Sequence, residues 1–435
     1  MSSQVNSEHK PSTILSFLRR AQEFTVLAYA ISLPISLTLT WIVFIVGLVL
    51  SLLEFLASFS AAPDRDGRSL AVPPLTIPLL LFALAVALSC VFNSGDLPGT
   101  VGSAALKEAW KGLYSLKNIL PYFWAANVVG RNRDLGRSAL ALLLWTSAIA
   151  GVYSAIQQIF DFHPGTFKYL QGTGFHGHPM AFAGQMQIFS LFSLALLLSG
   201  GFKKLVVLPA VRQLRTFLEF TQRTPVFVII VLCNFVGLFF AGERSAWLGG
   251  FVGVLALAGA VSWQLIVPAL ALMFAAGIFA WFFIPLLRTR ISSLFSGKDV
   301  SISARLVIWK ACLEEHFPKS PCFGVGWLKF PHFDIKEAIV PGVSKDLNHG
   351  HSNYIHILTT TGIFGLVSYV NLLLWIAVCA LKKLHRAVSA RDHFQAGIAI
   401  AIFASNVALA SSGIFEFNFG TAQVRLAQWF LFALL

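Results

Sequence analysis

Long apolar runs separated by short polar segments are the dominant pattern along this chain. Many runs approach the ~20 residues that a helix needs to cross a bilayer, and a helix satisfies its own backbone hydrogen bonds in lipid. The pattern predicts an all-α, polytopic integral membrane protein with about twelve transmembrane helices. The first two spans form one run broken only near Pro34. The predicted spans are roughly 22–36, 38–57, 74–93, 113–129, 138–160, 180–199, 225–241, 245–262, 264–287, 361–381, 394–413 and 424–435.

The composition supports a membrane protein over a soluble one. Apolar residues make up 56% of the 435 residues and charged residues only 12%, whereas soluble chains carry about 25% charged residues. The N-terminal segment shows no cleavable signal, so the first run is expected to act as an anchor. Two of the five cysteines, Cys312 and Cys322, lie outside the apolar runs, where a disulfide and two buried thiols are equally open alternatives.

Basic residues concentrate in every second connection and so predict the orientation of the chain. Positively charged loops face the cytoplasm, which would place both termini there. Three parts are therefore expected: a bundle of nine helices over 1–287, a long loop over 288–353 on the outer side, and three further helices over 354–435. The basic residues that set this orientation are Arg19, Arg20, Arg65, Arg68, Arg131, Arg133, Arg137, Lys203, Lys204, Arg212, Arg215, Arg223, Lys382, Lys383, Arg386 and Arg391.

The long loop 288–353 is basic although a translocated loop needs no basic residues for its topology. It carries nine Lys and Arg against six Asp and Glu, which suggests an anionic partner on the outer face. Within the loop, "VSISARLVIWKACLEEHF" has helical spacing, and one face of that helix would carry Ile302, Leu306, Trp309 and Leu313.

Two arginines on the outer side are candidate site residues. Arg244 lies in the tight turn "GERS", and an arginine at membrane depth is costly unless it is paired or faces water. The alternative is a snorkelling arginine or a local pair with Glu243. Arg305 lies on the predicted loop helix, and its planar guanidinium can bind two phosphate oxygens at once. The alternative for Arg305 is a solvated helix face.

Two His-x-His pairs on the outer side raise the question of a metal site. They are His176 with His178 and His349 with His351, and histidine is a common zinc ligand. Because no Asp, Glu or Cys lies near them in the sequence at metal-ligand spacing, we expect no metal here. We expect His356 to pack in the first turn of the following helix.

Four short elements of the outer side resemble the O-antigen ligase superfamily. "HSNYIHILTTTGIFG" fits that family's pattern of His, then Asn, Ser or Gln, nine residues, Gly, two residues and Gly, with His351, Ser352, Gly362 and Gly365 in register. Three further stretches are similar to the family's other elements, in the same order along the chain: "QGTGFHGHPMAFAG", "GERSAWL" and "ARLVIWKACLEEHFPKSPCFGVGW". The sequence departs from these patterns where Gln171 stands for an arginine, Met180 for an asparagine and Glu243 for a serine.

The resemblance implies a metal-independent membrane glycosyltransferase with a GT-C-like fold. The family moves a glycan from undecaprenyl pyrophosphate to an acceptor hydroxyl at the periplasmic face of the Gram-negative inner membrane, and its ligases use lipid A–core as the acceptor. An O-antigen polymerase or a protein O-oligosaccharyltransferase of the same superfamily is the alternative. A transporter of an anionic lipid is less favoured, because the chain shows no internal repeat and its charges gather on one face. We expect no cofactor and no nucleic-acid partner, only the donor, the acceptor and membrane lipids.

The residues in register with the family motifs receive roles from this chemistry. We expect His351 to act as the general base, since a neutral histidine can accept the proton of a sugar hydroxyl. Arg244 and Arg305 would bind the donor pyrophosphate and stabilise it as a leaving group. Gly362 and Gly365 would allow close helix packing, or they are ordinary small packing residues with no bearing on catalysis. The loop over 288–353 would lie in the periplasm and carry catalytic elements. The expected supporting residues are His349, Ser352, His178, Gln171 and Glu416.

Overall fold

The computed structural model describes residues 13–60, 72–93, 103–162, 171–205, 219–283, 300–330 and 349–435, with the single positions 288 and 292. All regular secondary structure in these ranges is helical. The α-helices are α1 (Thr13–Ser32), α2 (Leu37–Ser60), α3 (Thr76–Phe92), α4 (Ser103–Ser115), α5 (Leu120–Arg131), α6 (Arg133–Ile159), α7 (Pro179–Ser199), α8 (Thr224–Phe240), α9 (Arg244–Val261), α10 (Ile266–Phe283), α11 (Val300–Lys310), α12 (Asn353–Ser389), α13 (His393–Ser412) and α14 (Ala422–Phe432).

The helices confirm a membrane-integral, all-α protein. Within the described ranges, six helices are long and apolar enough to cross a membrane by length and composition, namely α2, α6, α7, α9, α12 and α13. The apolar helices α3 and α8 are shorter. The predicted break near Pro34 is present, as a turn between α1 and α2. The count of about twelve spans and the GT-C-like arrangement remain predictions.

One predicted span is interrupted in the structure. Residues 113–129 do not form a single helix: α4 ends at Ser115, a 3₁₀ turn covers Leu116–Ile119, and α5 starts at Leu120. Pro121 lies at the first turn of α5, where its missing N–H costs nothing, but it cannot continue a helix from the preceding residues. The predicted span is therefore divided into an α-helix, a 3₁₀ turn and a second α-helix.

The face of the loop helix α11 with the predicted apolar spacing is not the face that it buries. Ile302, Leu306 and Leu313 are exposed, and the helix continues beyond Lys310 as a π-helical turn over Ala311–His316. Its buried side carries Ile308 and Cys312, which pack with Phe330, and the small Ala304 and Ala311. Because Ala304 and Ala311 are small, α11 can pack closely against the rest of the protein on this side. The larger apolar residues Ile302, Leu306 and Leu313 lie on its exposed face.

Gly362 has a different role from helix packing. It interrupts α12 with φ of 69° and ψ of −169°, and a side chain there would collide with the carbonyl of Cys322. At this break the loop around Gly324 bonds to both parts of α12: the Val325 N–H donates to the Thr359 carbonyl over 3.0 Å, and the Ile363 N–H donates to Pro321 over 2.8 Å. Two of the motifs in the long outer segment therefore lock together through backbone hydrogen bonds. Cys322 and the buried Cys312 are both free thiols.

A buried carboxylate joins α1, α2 and α5. Glu54 is 6% exposed and accepts hydrogen bonds from Arg19 Nε over 3.0 Å and from Gln22 Nε2 over 2.9 Å. Arg131 Nη1 donates to both of its oxygens over 2.7 and 2.6 Å. Each carboxylate oxygen thus has at least two donors, and the charge is compensated where the three helices meet.

Candidate functional site

The centre of the candidate site is the short loop that precedes α12. His351 has a φ of 46°, an uncommon and strained conformation for a residue other than glycine that is found often at functional sites. Ser352 caps α12 by accepting the Ile355 N–H over 3.4 Å, and it donates to the Gly413 carbonyl over 3.4 Å. The side chain of His351 is thereby fixed at the start of the helix.

Hydrogen bonds define the tautomers of two neighbouring histidines. His349 Nδ1 accepts the backbone N–H of His351 over 3.3 Å, so the proton of neutral His349 lies on Nε2. His356 Nδ1 accepts the Gly350 N–H in the same way over 3.4 Å. His356 is buried and its ring packs against Phe417, with the ring centroids 3.8 Å apart. His356 therefore packs as expected, whereas the rings of His349 and His351 lie side by side with their centroids 4.3 Å apart.

Asn353 brings a distant acidic residue to these histidines. Its backbone N–H donates to Gly413 over 2.7 Å, and its side chain donates to Asn418 Oδ1 over 2.6 Å and accepts from the Phe419 N–H over 3.0 Å. These bonds hold the segment between α13 and α14 against the start of α12. Glu416 in that segment consequently lies beside His349 and His351, with one side-chain atom of each of the three within 4.8 Å of the others.

Arg305 completes the cluster from the loop helix α11. Its Nη2 lies 3.7 Å from Glu416 Oε2, and its Nη1 donates to Ser301 Oγ over 2.7 Å. Its Nε is buried and has no hydrogen-bond partner among the described residues. One turn further along α11, Trp309 Nε1 donates to the Gly350 carbonyl over 2.9 Å. The helix and the histidine loop are thus fastened together, with an under-bonded guanidinium next to His351.

The electrostatics of the cluster keep the histidines neutral. Burial, with the adjoining His349 and the positive charge of Arg305, lowers the pKa of His351 to about 3. Burial, Arg305 and His178 lower the pKa of His349 to about 4. Burial raises the pKa of Glu416 to about 7, against the opposing effect of Arg305 and with a further rise from Glu243. Of these three groups, Glu416 is the one that titrates near neutrality.

A small cavity with both polar and apolar lining lies next to Glu416. Its lining includes Glu243 and Ser412, and Gln187 contributes an Nε2 that is buried without a hydrogen-bond partner in the described part of the chain. Ser412 Oγ donates to Gln187 Oε1 over 3.3 Å. Glu243 and Glu416 therefore line the same cavity.

The other predicted site residues lie at the edge of this cluster. Arg244 is half-buried at the first position of α9, directly after Glu243 of the cavity. Gln171 is buried and packs against Gly242 in the turn before α9. His178 is exposed and close enough to His349 to affect its pKa. The meeting of Arg244 and Arg305 on one ligand remains a prediction.

The two His-x-His pairs do not meet as a four-histidine site. His176 Nε2 lies 2.7 Å from Gln185 Oε1, and Gln185 in turn donates to the carbonyls of Leu33 and Gln423. His176 is therefore part of the helix packing. No carboxylate lies near the His349 pair in the sequence at metal-ligand spacing, but the fold brings Glu416 to it.

The trio His349, His351 and Glu416 is close enough to hold a metal ion. Its surroundings fit a cation poorly, because the Arg305 guanidinium already shares the Glu416 carboxylate and would repel a second positive charge. A site that works without a metal remains our prediction.

Sequence reasoning missed the residues that assemble the site. Asn353 directly follows His351 and Ser352 in the sequence. A polar residue at the start of a predicted apolar helix could have indicated that Asn353 helps to assemble the site. Asn418 and Ser412 gave no comparable signal, because each lies in or beside an apolar run far from the motifs in the sequence. Gln187 lies just after the stretch "QGTGFHGHPMAFAG", but inside an apolar run that predicts only a membrane helix.

A comparison with protein families agrees with the motif resemblance. Residues 229–370 match the family model described as O-Antigen ligase, Wzy_C. No curated protein matches the chain. The matched segment begins in α8, ends in α12, and includes Arg244, Arg305, His349 and His351. It supports membership of the O-antigen ligase superfamily, and it indicates a glycosyltransferase-like activity of the ligase or polymerase type in lipopolysaccharide biosynthesis.

Proposed function

We propose, from the match of residues 229–370 to the O-antigen ligase family, that the protein transfers an O-antigen glycan from undecaprenyl pyrophosphate to a sugar hydroxyl of lipid A–core. The observation that carries the proposal is the convergence of Arg305, His351 and Glu416 at one end of α12. The cluster combines an anion-binding group with neutral proton acceptors, and these are the two functions that such a transfer requires.

Arg305 is the proposed binding group for the donor pyrophosphate. Its guanidinium makes one short hydrogen bond, to Ser301, and its buried Nε has no partner in the described ranges. Charge-assisted hydrogen bonds to phosphate are roughly twice as strong as neutral ones. Arg244 is proposed as a second binding group, since it follows Glu243 of the cavity wall. The two guanidinium groups would take the place of a metal ion in stabilising the departing pyrophosphate.

His351 is the proposed general base. Its pKa of about 3 leaves the ring neutral at pH 7 and able to accept a proton. A base this weak holds the proton only if its pKa rises during the reaction. Bound pyrophosphate would offset the positive charge of Arg305, which is one cause of the low pKa, and would thereby raise the basicity of the ring. His349 is proposed to support His351 through the hydrogen bond between them.

The proposed reaction exchanges one bond at the anomeric carbon of the donor. The acceptor oxygen forms a new bond to this carbon while the bond from the carbon to the phosphate oxygen breaks. The electron pair of the broken bond leaves on undecaprenyl pyrophosphate, and the acceptor proton passes to His351. Our proposal places this reaction on the periplasmic face of the inner membrane, with the basic connections and both termini in the cytoplasm.

The acceptor distinguishes the proposed ligase from its relatives. An O-antigen polymerase or a protein O-oligosaccharyltransferase would use the same arginines and histidine on another hydroxyl. A deletion strain supplies the test when it is complemented with the wild-type chain or an empty vector. Core-only lipopolysaccharide with accumulated lipid-linked polymer supports the ligase, core with one repeat indicates a polymerase, and an unchanged profile refutes both.

A further inference from the structure

We propose that Glu416 is the second proton acceptor of the site and receives from His351 the proton of the attacking hydroxyl. This inference rests on the proposed function and assigns to that reaction a residue that lies outside the matched family segment. It depends on three features of the structure: the electrostatic position of His351, the incomplete hydrogen bonding of Glu416, and the cavity beyond it.

His351 is poorly placed to keep a proton. Its ring lies beside His349, and the positive charge of Arg305 acts on both rings. An imidazolium at this position would face the Arg305 guanidinium, which already shares the nearby Glu416 carboxylate. His351 Nδ1 is buried and has no hydrogen-bond partner among the described residues. The ring can therefore accept a proton at one nitrogen and release one from the other, provided that an acceptor lies within reach.

Glu416 is the acceptor that the fold supplies. It is 7% exposed and lies within 4.8 Å of both histidines in the arrangement held by Asn353. The charged and titratable groups that act on it are Arg305 from α11, His349 and His351 from the loop before α12, and Glu243 at the start of α9. Burial raises its pKa to about 7, which makes it a better proton acceptor than either histidine.

The carboxylate is also incompletely bonded. Oε1 accepts the Phe417 N–H over 3.1 Å, whereas Oε2 has only the long contact of 3.7 Å to Arg305 and no hydrogen bond within the described ranges. A carboxylate used only for structure is expected to have its oxygens satisfied. The free capacity of Oε2 is where an incoming proton would bind.

The cavity beside Glu416 lies on the way that the proton would take. Glu243, Gln187 and Ser412 line it together with Glu416 and with apolar residues such as Met180, and it has room for about one water molecule. The proton passes from the acceptor hydroxyl to His351, from the opposite nitrogen of His351 to Glu416, and then through the cavity to solvent. The carboxylate and the neutral histidine are both regenerated, and the departing pyrophosphate carries the electron pair of the broken bond.

The test is the pH dependence of the turnover rate of the full-length protein in lipid nanodiscs, with an undecaprenyl pyrophosphate-linked glycan as donor and lipid A–core as acceptor. In the wild type the rate rises with pH around 7, because Glu416 must be ionised to accept the proton. Glu416→Gln lowers the turnover rate by about 10²-fold or more and removes this rise, while the donor KM changes by only a few-fold. Glu416→Asp restores part of the rate together with the pH dependence.

Glu54→Gln is the matched control, because Glu54 is equally buried and also paired with arginine. Per folded molecule it keeps the wild-type rate and pH profile. A Glu416→Gln protein that keeps the rise with pH, or that loses donor affinity instead of turnover, overturns the inference and leaves Glu416 as a positioning residue for Arg305. A wild-type protein inactive on lipid A–core under all conditions counts against the proposed function instead.

An infrared titration without substrate tests the role of Glu416 separately from the proposed transfer reaction. The proposal predicts a protonated carboxyl band that disappears in Glu416→Gln and titrates near pH 7 in the wild type. If this band is present but its intensity does not change across this pH range, the inference is contradicted even when transfer is intact.

Discussion

Glu54 and Glu416 are buried to the same extent and both lie beside arginine, yet their surroundings differ in one respect. Glu54 is 6% exposed and accepts hydrogen bonds from two arginines and a glutamine, with every distance at or below 3.0 Å. Glu416 is 7% exposed and has one arginine at 3.7 Å and one backbone N–H at 3.1 Å.

The difference separates a structural ion cluster from a reactive one. A buried charge whose hydrogen bonds are complete holds its helices together and has little capacity for a ligand. A buried charge with incomplete bonding raises the free energy of the empty site, and a ligand or a proton can recover that free energy. The same contrast applies to the arginines: Arg131 donates twice to Glu54, whereas Arg305 has an unbonded Nε.

Replacing His351 has the largest expected effect on transfer. His351→Ala should lower the turnover rate by about 10²–10⁴-fold, which is the usual contribution of a general base, while donor binding is retained. Single-turnover kinetics with the purified protein measures both. His349→Ala should be milder, because His349 acts through His351. A larger loss in His349→Ala would make His349 the base.

Replacing Arg305 should cost roughly ten- to a hundredfold in donor binding or turnover, the value of one or two charge-assisted hydrogen bonds. If Arg305 chiefly stabilises the leaving group, turnover falls more than apparent donor affinity. Arg305→Lys should recover only part of the activity, because lysine keeps the charge but not the two-pronged geometry. Arg131→Ala is the matched control from the Glu54 cluster, and per folded molecule its kinetics should equal those of the wild type. Equal losses in both alanine variants would remove the distinction between the clusters.

The stabilities of Glu54→Gln and Glu416→Gln should change in opposite directions at pH 8. Glu54→Gln should unfold more easily by about 1–3 kcal/mol, because two arginines lose a charged partner. The pKa of Glu416 rises from 4.5 to about 7 on folding, so the folded state binds the proton more tightly than the unfolded state between these values. The contribution of Glu416 to the free energy of unfolding is therefore most favourable at low pH. It decreases as the pH rises towards 7, by about 3 kcal/mol at most.

Thermal unfolding in one detergent at pH 5 and pH 8 measures these changes. The melting temperature of Glu416→Gln relative to the wild type should increase with pH. A constant difference would mean that the pKa of Glu416 is not raised in the folded protein.

Chelation should have no measurable effect on transfer. Although the fold brings Glu416 to His349 and His351, Arg305 lies 3.7 Å from the same carboxylate and opposes a cation. Transfer rates before and after prolonged EDTA treatment measure this directly. Activity that is lost to EDTA and restored by a divalent ion would make the trio a metal site.

The sequence was most informative where the pattern is local. Apolar runs located the helices because burial in lipid depends on each run by itself, and motif spacing identified His351 and Arg305. The exposed Leu306 of α11 could not be assigned to the outer face, since helical spacing marks apolar faces without saying which one meets the protein. The insertion of a loop at Gly362 and the approach of Glu416 depend on contacts between distant segments, which spacing does not report.

A structure with bound undecaprenyl pyrophosphate tests the central claim most directly. That claim is that the under-bonded cluster around Arg305, and not the satisfied cluster around Glu54, receives the reactive end of the donor. The account predicts that the guanidinium groups of Arg305 and Arg244 contact the phosphates, with His351 facing the anomeric carbon. Phosphates that lie beyond contact of both arginines, in a well-defined site elsewhere, would contradict it.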